Sequence, residues 1–251
     1  MAEQYNSNFT GPEIDAILGN AVRYDLAQSL TTAQQTQARG NINAAPGGFG
    51  LGEVATIPEG RSANNITANG FYYCDKDTPN SNDWIILHIQ RADSYAVQFG
   101  RTYNQDSGWP IVTRVLNANI SNAWQPWEYV NPPMKLGVEY RTTERYLGKP
   151  VYAKLINLGK LPNNAETSVQ DTTIGKIAHI VDFRGEFTNS NGTPFLLPYG
   201  PTFANSNAYT VCITVVSANS AGTGLEIRLL SKVDFSAFSA TALVKYTKTT
   251  D

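Results

Sequence analysis

Apolar and polar positions along the chain change their spacing after about residue 45. Before that point apolar residues recur three and four positions apart, as on one face of a helix. Beyond it, short runs of aromatic and β-branched residues alternate with clusters of Asn, Asp, Ser, Pro and Gly, which is typical of strands and turns. The pattern predicts a mainly β protein with a short N-terminal helical segment, a small antiparallel β domain and a C-terminal β-sandwich or jelly roll.

Two breaks in the pattern divide the chain into three segments. Four glycines within residues 46–52 cannot hold a helix, and Pro132-Pro133 ends the second segment. We therefore expect a helical segment over 1–45, a small β domain over 46–132 and a C-terminal β domain over 133–251, which are called the stem, the knob and the head below.

The stem contains two helix-start signals. Thr10 and Glu13 form a capping box around Pro12, and Thr31 with Gln34 predicts a second helix that ends at Gly40. Helices this short are marginal alone in water, so their apolar stripe must dock on another surface. Three copies around a three-fold axis and the chain's own globular part are equally compatible partners. The predicted stripe consists of Ile14, Ile17, Leu18, Leu26 and Leu30.

The knob segment contains four predicted antiparallel strands, GFYYCD, WIILHIQ, YAVQFGRTY and PIVTRVL. Their alternation is only partial, which predicts strands covered on both faces. Two interpretations fit the polar and aromatic residues Arg101, Arg114, Trp124 and Trp127. They suit a sugar-stacking surface, but tryptophans of a small sheet domain are more often core residues, because each buries up to ~250 Å².

Six strand-like runs follow in the head, with turns between them. Their spacing predicts a sandwich or jelly roll in which the last three strands form a meander. The expected inward-facing set consists of Val211, Ile213 and Val215 on one strand against Leu225, Ile227 and Leu229 on the next.

Charge and hydropathy narrow the possible partners. Only 16% of the residues are charged, the net charge is −2, and no Lys/Arg cluster suited to a phosphate backbone occurs, so no nucleic-acid partner is expected. No apolar run approaches the ~20 residues of a spanning helix, and the first residues do not form a signal sequence. We expect synthesis in a cytoplasm and no membrane insertion.

Catalytic and metal-binding motifs are not found in the sequence. Cys74 and Cys212 read as reduced buried thiols, and His88 and His179 as packed sheet histidines, so no metal, no cofactor and no enzyme activity are expected. Carboxylates of the head leave a polysaccharide depolymerase open, although the repeat of such β-helical enzymes is missing. They are Glu139, Glu144, Asp171, Asp182, Glu186 and Asp234.

The stem resembles segments of bacteriophage tail fibres. DLAQSLTTAQQTQARGNINAA is similar to the fibre pattern Q-x-L-(S/T)-x-x-Q-x-x-x-A-R-x-N-I, and FTGPEIDAIL to T-G-x-x-I-D-x-x-L near the start of tail proteins. The first match rests on Gln28, Leu30, Thr31, Gln34, Ala38, Arg39, Asn41 and Ile42. The resemblance implies a trimeric fibre protein.

The other two segments carry resemblances of their own. Gly70-Phe71-Tyr72, Trp84-Ile85-Ile86, Gln98-Phe99 and Trp124-Gln125-Pro126-Trp127 resemble, in order, the strands of pyocin and phage knob domains. The head resembles trimeric receptor-binding heads of phages of Gram-positive bacteria. That match rests on Glu139, Thr142 or Thr143, Gly148, Lys149, Val151 and Tyr152, and on Tyr246, Thr247, Lys248, Thr249 and Asp251.

Together the resemblances imply a receptor-binding protein in the tail of a virion or a tail-like bacteriocin. The expected partners are two further copies of the chain, tail or baseplate proteins at the N-terminus, and bacterial surface polysaccharide. A structural tail component whose head is a trimerisation cap is the alternative. The candidate glycan contacts are Asn191, Tyr199, Phe203, Asn205, Asn207 and Asn219 in the head, and Arg101, Trp124 and Trp127 in the knob.

Overall fold

A computed structural model describes residues 9–14, 31–41, 55–92, 94–102, 108–197, 211–218 and 224–251. Contacts divide the chain into one unit over Met1–Leu51 and a second over Gly52–Asp251. The second unit contains the strands, so the prediction of a mainly β chain is confirmed.

Both helix starts in the first unit are capped as predicted. Glu13 accepts hydrogen bonds from the Thr10 amide (2.7 Å) and hydroxyl (2.8 Å). Gln34 likewise accepts from the Thr31 amide at 2.9 Å and opens helix α1, Thr32–Asn41, which runs one residue past the predicted end. Of the predicted stripe, Ile14 is half-buried. Ile17, Leu18, Leu26 and Leu30 lie outside the described residues, so the packing of the stem stays a prediction.

Fourteen strands are present in the described part of the second unit. In the knob they are β1 Gly70–Cys74, β2 Trp84–Ala92, β3 Tyr95–Thr102, β4 Ile111–Asn117, β5 Ser121–Trp124 and β6 Glu128–Tyr129. In the head they are β7 Glu139–Tyr146, β8 Lys149–Lys160, β9 Glu166–Asp171, β10 Ile177–Thr188, β11 Pro194–Leu197, β12 Val211–Ala218, β13 Leu225–Ser231 and β14 Ser239–Lys248. Two 3-10 turns, Glu59–Arg61 and Ala63–Asn65, precede β1.

A large sheet runs through both the knob and the head. Its described strands follow the order β1-β2-β3-β4-β6-β7-β8-β14-β10-β11, with β5 paired to β4. A parallel contact between Tyr129 of β6 and Thr142 of β7 joins the two parts. Arg141 and Arg145 both donate to the Glu128 carboxylate next to this contact, at 3.0 and 2.7 Å. The knob and the head therefore share one continuous hydrogen-bonded framework.

The knob packs a small core against one face of its sheet. Trp84, Ile86 and Val112 are fully buried there, together with Ala63, Ile66 and Cys74. Gly100 lies between them on β3, and a Cβ atom at this position would approach Ile86 Cδ1 to 2.8 Å. Glycine is required here because the neighbouring side chains fill the space above its Cα atom.

A second core lies in the head, between the large sheet and a three-stranded sheet of order β12-β13-β9. Leu225, Ile227 and Leu229 of β13 are buried as predicted and pack with side chains of β8 and β14. The head is thus built from two packed sheets. Its connections include residues 198–210 and 219–223, which lie outside the described ranges, so the jelly roll stays a prediction.

Two details of the predicted head are wrong. The last strand, β14, pairs with β8 and β10 rather than with β13, so the last three strands form no meander. A bulge after Ile213 also shifts the register, so Val215 lies opposite Arg228 and not opposite a member of the predicted inward set. Alternation within single strands carries no information about either feature, because both depend on which strand lies alongside.

Candidate functional site in the knob sheet

The four long strands β1–β4 form the knob sheet, and their pairing sorts the side chains into rows. His88 lies opposite Gln98, and Gln98 lies opposite Arg114. One position further along, Leu87 lies opposite Phe99. Because successive side chains point to opposite faces, these two rows lie on different sides of the sheet.

The polar row is the one that the chain buries. Gln98 donates from Nε2 to the Ala63 carbonyl oxygen at 2.7 Å and contacts His88 Nδ1 at 3.1 Å, while Arg114 Nε donates to Gln98 Oε1 at 2.8 Å. All three side chains are more than nine-tenths buried. These contacts satisfy most of the row, as a buried polar group requires, although the buried Nη2 of Arg114 has no hydrogen-bond partner among the described residues.

Arg114 is held between two tryptophans. Its guanidinium carbon lies 4.5 Å from the ring centroid of Trp124 and 4.2 Å from that of Trp127. Both distances fit cation–π contacts. Desolvation lowers the pKa of Arg114 to about 10, against a smaller opposing effect of Asp77. Trp127 Nε1 donates to the Asp77 carbonyl oxygen at 2.8 Å, so the cluster is fixed to the loop after β1.

Burial also changes the pKa of two other groups in the knob. Desolvation, with a smaller contribution from the nearby Arg114 charge, lowers the pKa of His88 although its hydrogen bond to Gln90 acts the other way. Desolvation raises the pKa of Cys74 to about 12. Both groups are therefore kept uncharged at neutral pH, in agreement with their predicted roles as a packed histidine and a buried thiol. The same prediction is wrong for His179, which is exposed on β10.

The opposite side of the knob sheet, which we call the open face, is apolar and exposed. Phe71, Phe99 and Trp109 remain 37, 43 and 48% exposed. A groove of about 610 Å³ runs over this side. The open face consists of Phe71, Ile85, Leu87, Ile89, Val97, Phe99, Trp109, Ile111 and Val115. The sheet thus buries a polar row beside the apolar core on one face and leaves apolar rows exposed on the other, where an antiparallel sheet usually presents polar residues.

The predicted sugar-stacking set is divided between the two faces. Arg114, Trp124 and Trp127 meet on the buried side, as the core reading expects, whereas Arg101 lines the groove on the open face. The predicted cover on both faces is found on one face only within the described residues. Sequence reasoning identified neither the open face nor Trp109, whose backbone lies in the left-handed region at φ 49°.

The candidate contacts in the head are only partly described. Asn191 is exposed at the tip of the β10–β11 hairpin, where its amide donates to Asn189 Oδ1 at 3.0 Å. Tyr199, Phe203, Asn205, Asn207 and Asn219 lie outside the described residues. These glycan contacts stay predictions.

The six carboxylates of the head each contact another polar group of the chain. Glu139 accepts from the Tyr246 hydroxyl and from Lys248, and Glu144 pairs with Lys245 at 2.6 Å. Asp171 pairs with Lys154 at 2.7 Å. The remaining three interact with Arg184, Thr241 and Ser236.

Neither a metal site nor a membrane-spanning helix is found among the described residues. No group of three His, Cys, Asp or Glu side chains there is placed to hold a metal ion. No helix among the same residues is long and apolar enough to span a bilayer.

No protein-family model matches the chain, and neither does any curated protein. Three solved structures match. A C-terminal fragment of the R1 pyocin fibre of P. aeruginosa is 10% identical, with 78% of this chain and 66% of that chain covered and a TM-score of 0.22. An N-truncated R2-type pyocin tail fibre is 10% identical, with coverages of 79 and 95% and a TM-score of 0.24.

The third match is a C-terminal fragment of the R2 pyocin fibre of P. aeruginosa, 9% identical, with 77% of this chain and 68% of that chain covered and a TM-score of 0.24. All three are pyocin fibres, the class of protein that the knob segment resembles in sequence. At these TM-scores no residue-by-residue correspondence follows, so no site residue is transferred to this chain.

Proposed function

We propose that this chain is a receptor-binding tail-fibre protein of a phage or a phage-tail-like particle, not an enzyme. Three copies associate, the N-terminal segment attaches to tail or baseplate proteins, and the head binds a bacterial surface glycan. The structural observation that carries the proposal is the open face. A sheet that leaves rows of apolar residues exposed on one face suits a chain whose working form is an assembly. The fibre-like segments of the stem and the head support the same role.

Three heads on one fibre compensate for weak individual sites. Shallow sites lined by amides and aromatic rings bind sugars weakly, and linking them raises the effective concentration for each further contact. The structural alternative is a head that only caps the trimer. Both functions require assembly, so adsorption to bacteria is the measurement that distinguishes them.

The test uses the full chain on an array of bacterial capsular and wall polysaccharides. Binding to at least one glycan class is expected, together with its loss in an Asn191→Ala, Asn205→Ala, Asn207→Ala variant. The control is Asn64→Ala, an exposed asparagine of the knob. The receptor-binding role is contradicted if the protein binds neither an array glycan nor whole bacteria while its mass in solution is unaltered.

A further inference from the structure

The open face of the knob sheet has the apolar composition of a surface that is covered in an assembly. Its middle row contains Phe71, Leu87 and Phe99, and the fourth member, Thr113, already donates its hydroxyl to the Gln98 carbonyl oxygen at 3.0 Å. The next row contains Ile89, Val97 and Val115. Neither row carries a charge.

The exposed apolar area of the open face is comparable to the largest apolar patch of a typical monomer. The three aromatic rings of the face alone leave roughly 200–300 Å² in water, taking ~150–250 Å² for a whole aromatic side chain. The aliphatic residues add to this value. The total is then comparable to the ~300–600 Å² of the largest patch on a typical monomer, and a patch of this size is often functional.

The chemistry of the face favours another apolar sheet as its partner. Arg101 is the one charged side chain among the described residues of the groove, and it lies in the outer row opposite Ile85 and Ile111. A sugar needs several hydrogen-bonding groups for its hydroxyls. The middle row of the open face and the row of Ile89, Val97 and Val115 do not offer them. A flat face of four strands instead suits a second sheet packed at ~10 Å.

The width of the face fits a three-fold arrangement. Four strands at ~4.8 Å each make a sheet about 19 Å wide. Three such sheets, closed into a triangular prism, each lie roughly 5.5 Å from the axis, which is close to half of the ~10 Å spacing of packed sheets. One layer of side chains from each copy therefore fills the interior.

We propose that the open faces of three copies of this chain meet around a three-fold axis, so that each knob sheet is covered by the other two. The inference rests on the trimer of the proposed function and assigns it an interface in the knob. Leu87 and Phe99, in the middle row of the two central strands, are then the residues nearest the axis and nearest to their own counterparts.

The test is a disulfide between copies in the full chain. Phe99→Cys is introduced with Cys212→Ser, and Cys74 is buried. On mild oxidation the expected product is a covalent dimer that accounts for up to two thirds of the chains, with no larger species, because one of three thiols on an axis has no partner. Leu196→Cys, at a position 74% exposed on β11, is the control and is expected to remain monomeric on a denaturing gel.

Three outcomes overturn the inference: no more dimer than in the control, complete conversion to dimer as in a two-fold pairing, or cross-linking to a different protein. Circular dichroism first confirms that the variant is folded, and Leu87→Cys repeats the test at the neighbouring strand. Adsorption is measured on the same samples. Cross-linked chain that binds no glycan refutes the receptor role alone, whereas chain that binds without cross-linking refutes this interface alone.

Discussion

The guanidinium carbon of Arg114 lies 4.2 Å from the ring centroid of Trp127. This contact gives a buried cation a polarisable partner on the inner side of the knob sheet. Gln98 completes the arrangement by accepting a hydrogen bond from Arg114 and donating one to Ala63. The inner face therefore combines this polar network with the apolar core of the knob, and the outer face is the surface available for assembly.

Replacing Gln98 by leucine is expected to destabilise the knob strongly. The substitution leaves the Ala63 carbonyl, His88 and Arg114 without their buried hydrogen-bond partner, at roughly 1–3 kcal/mol for each group that stays unpaired. We expect the free energy of unfolding in urea to fall by about 3 kcal/mol or more. Gln125→Leu, near the surface, is the matched control and is expected to change it by less than about 0.5 kcal/mol. Equal effects of the two substitutions would contradict the network.

The stability of the knob is expected to decrease as the pH falls below about 6.5, the pKa of an unfolded histidine. Because the pKa of His88 is lowered in the folded chain, protons bind the unfolded state first. The contribution of His88 to the free energy of unfolding is fully present above pH 6.5 and is lost as the pH falls towards the pKa of the folded state. The melting temperature at pH 7.5 and 5.5 measures it. His88→Gln should reduce this difference, whereas the exposed His179→Gln should keep it; an unchanged difference in His88→Gln refutes the assignment.

The thiol of Cys74 is expected to be unreactive in the folded protein. A pKa of about 12 leaves a thiolate fraction on the order of 10⁻⁴ at pH 8, and the side chain is also inaccessible. In a Cys212→Ser chain, Ellman's reagent should label less than a tenth of Cys74 within an hour, and all of it in urea. Rapid labelling of native chain would show that the inner face of the knob opens readily.

The ion pair of Lys154 and Asp171 connects the two sheets of the head, since β8 belongs to one sheet and β9 to the other. Asp171→Asn leaves the ammonium group buried without its carboxylate, and a loss of about 3 kcal/mol in unfolding free energy is expected. Lys154→Met combined with Asp171→Leu removes both charges and should cost less than the single change. Calorimetry gives the unfolding free energy of both variants. A double variant less stable than Asp171→Asn would contradict the explanation by an unpaired buried charge.

Strong local patterns predicted most of the strands. The aromatic and β-branched runs located β1–β4, β8 and β10, and the two capping boxes located the described helix starts. Strand β9, Glu166–Asp171, was missed because Val169 is its one apolar residue. It is a strand because β13 offers it an edge to pair with, and that information lies in the tertiary structure.

The candidate site shows the same limit more clearly. Composition suggested Arg101 and Arg114 as members of one surface, but the pairing of Gln98 with Arg114 places them on opposite faces. Only the register between β3 and β4 reveals this, and register is set by contacts between strands. The partial alternation did predict sheet faces that both need cover. The alternation could not show which face stays uncovered. In the structure, the described residues of the chain leave the open face exposed.

The mass of the particle in solution tests the central claim most directly. Sedimentation or light scattering of the full chain at physiological salt should give three chains of 27.4 kDa, about 82 kDa, independent of dilution through the micromolar range. A well-folded particle of 27.4 kDa under the same conditions would contradict both the trimeric fibre and the shared axis of the knob sheets.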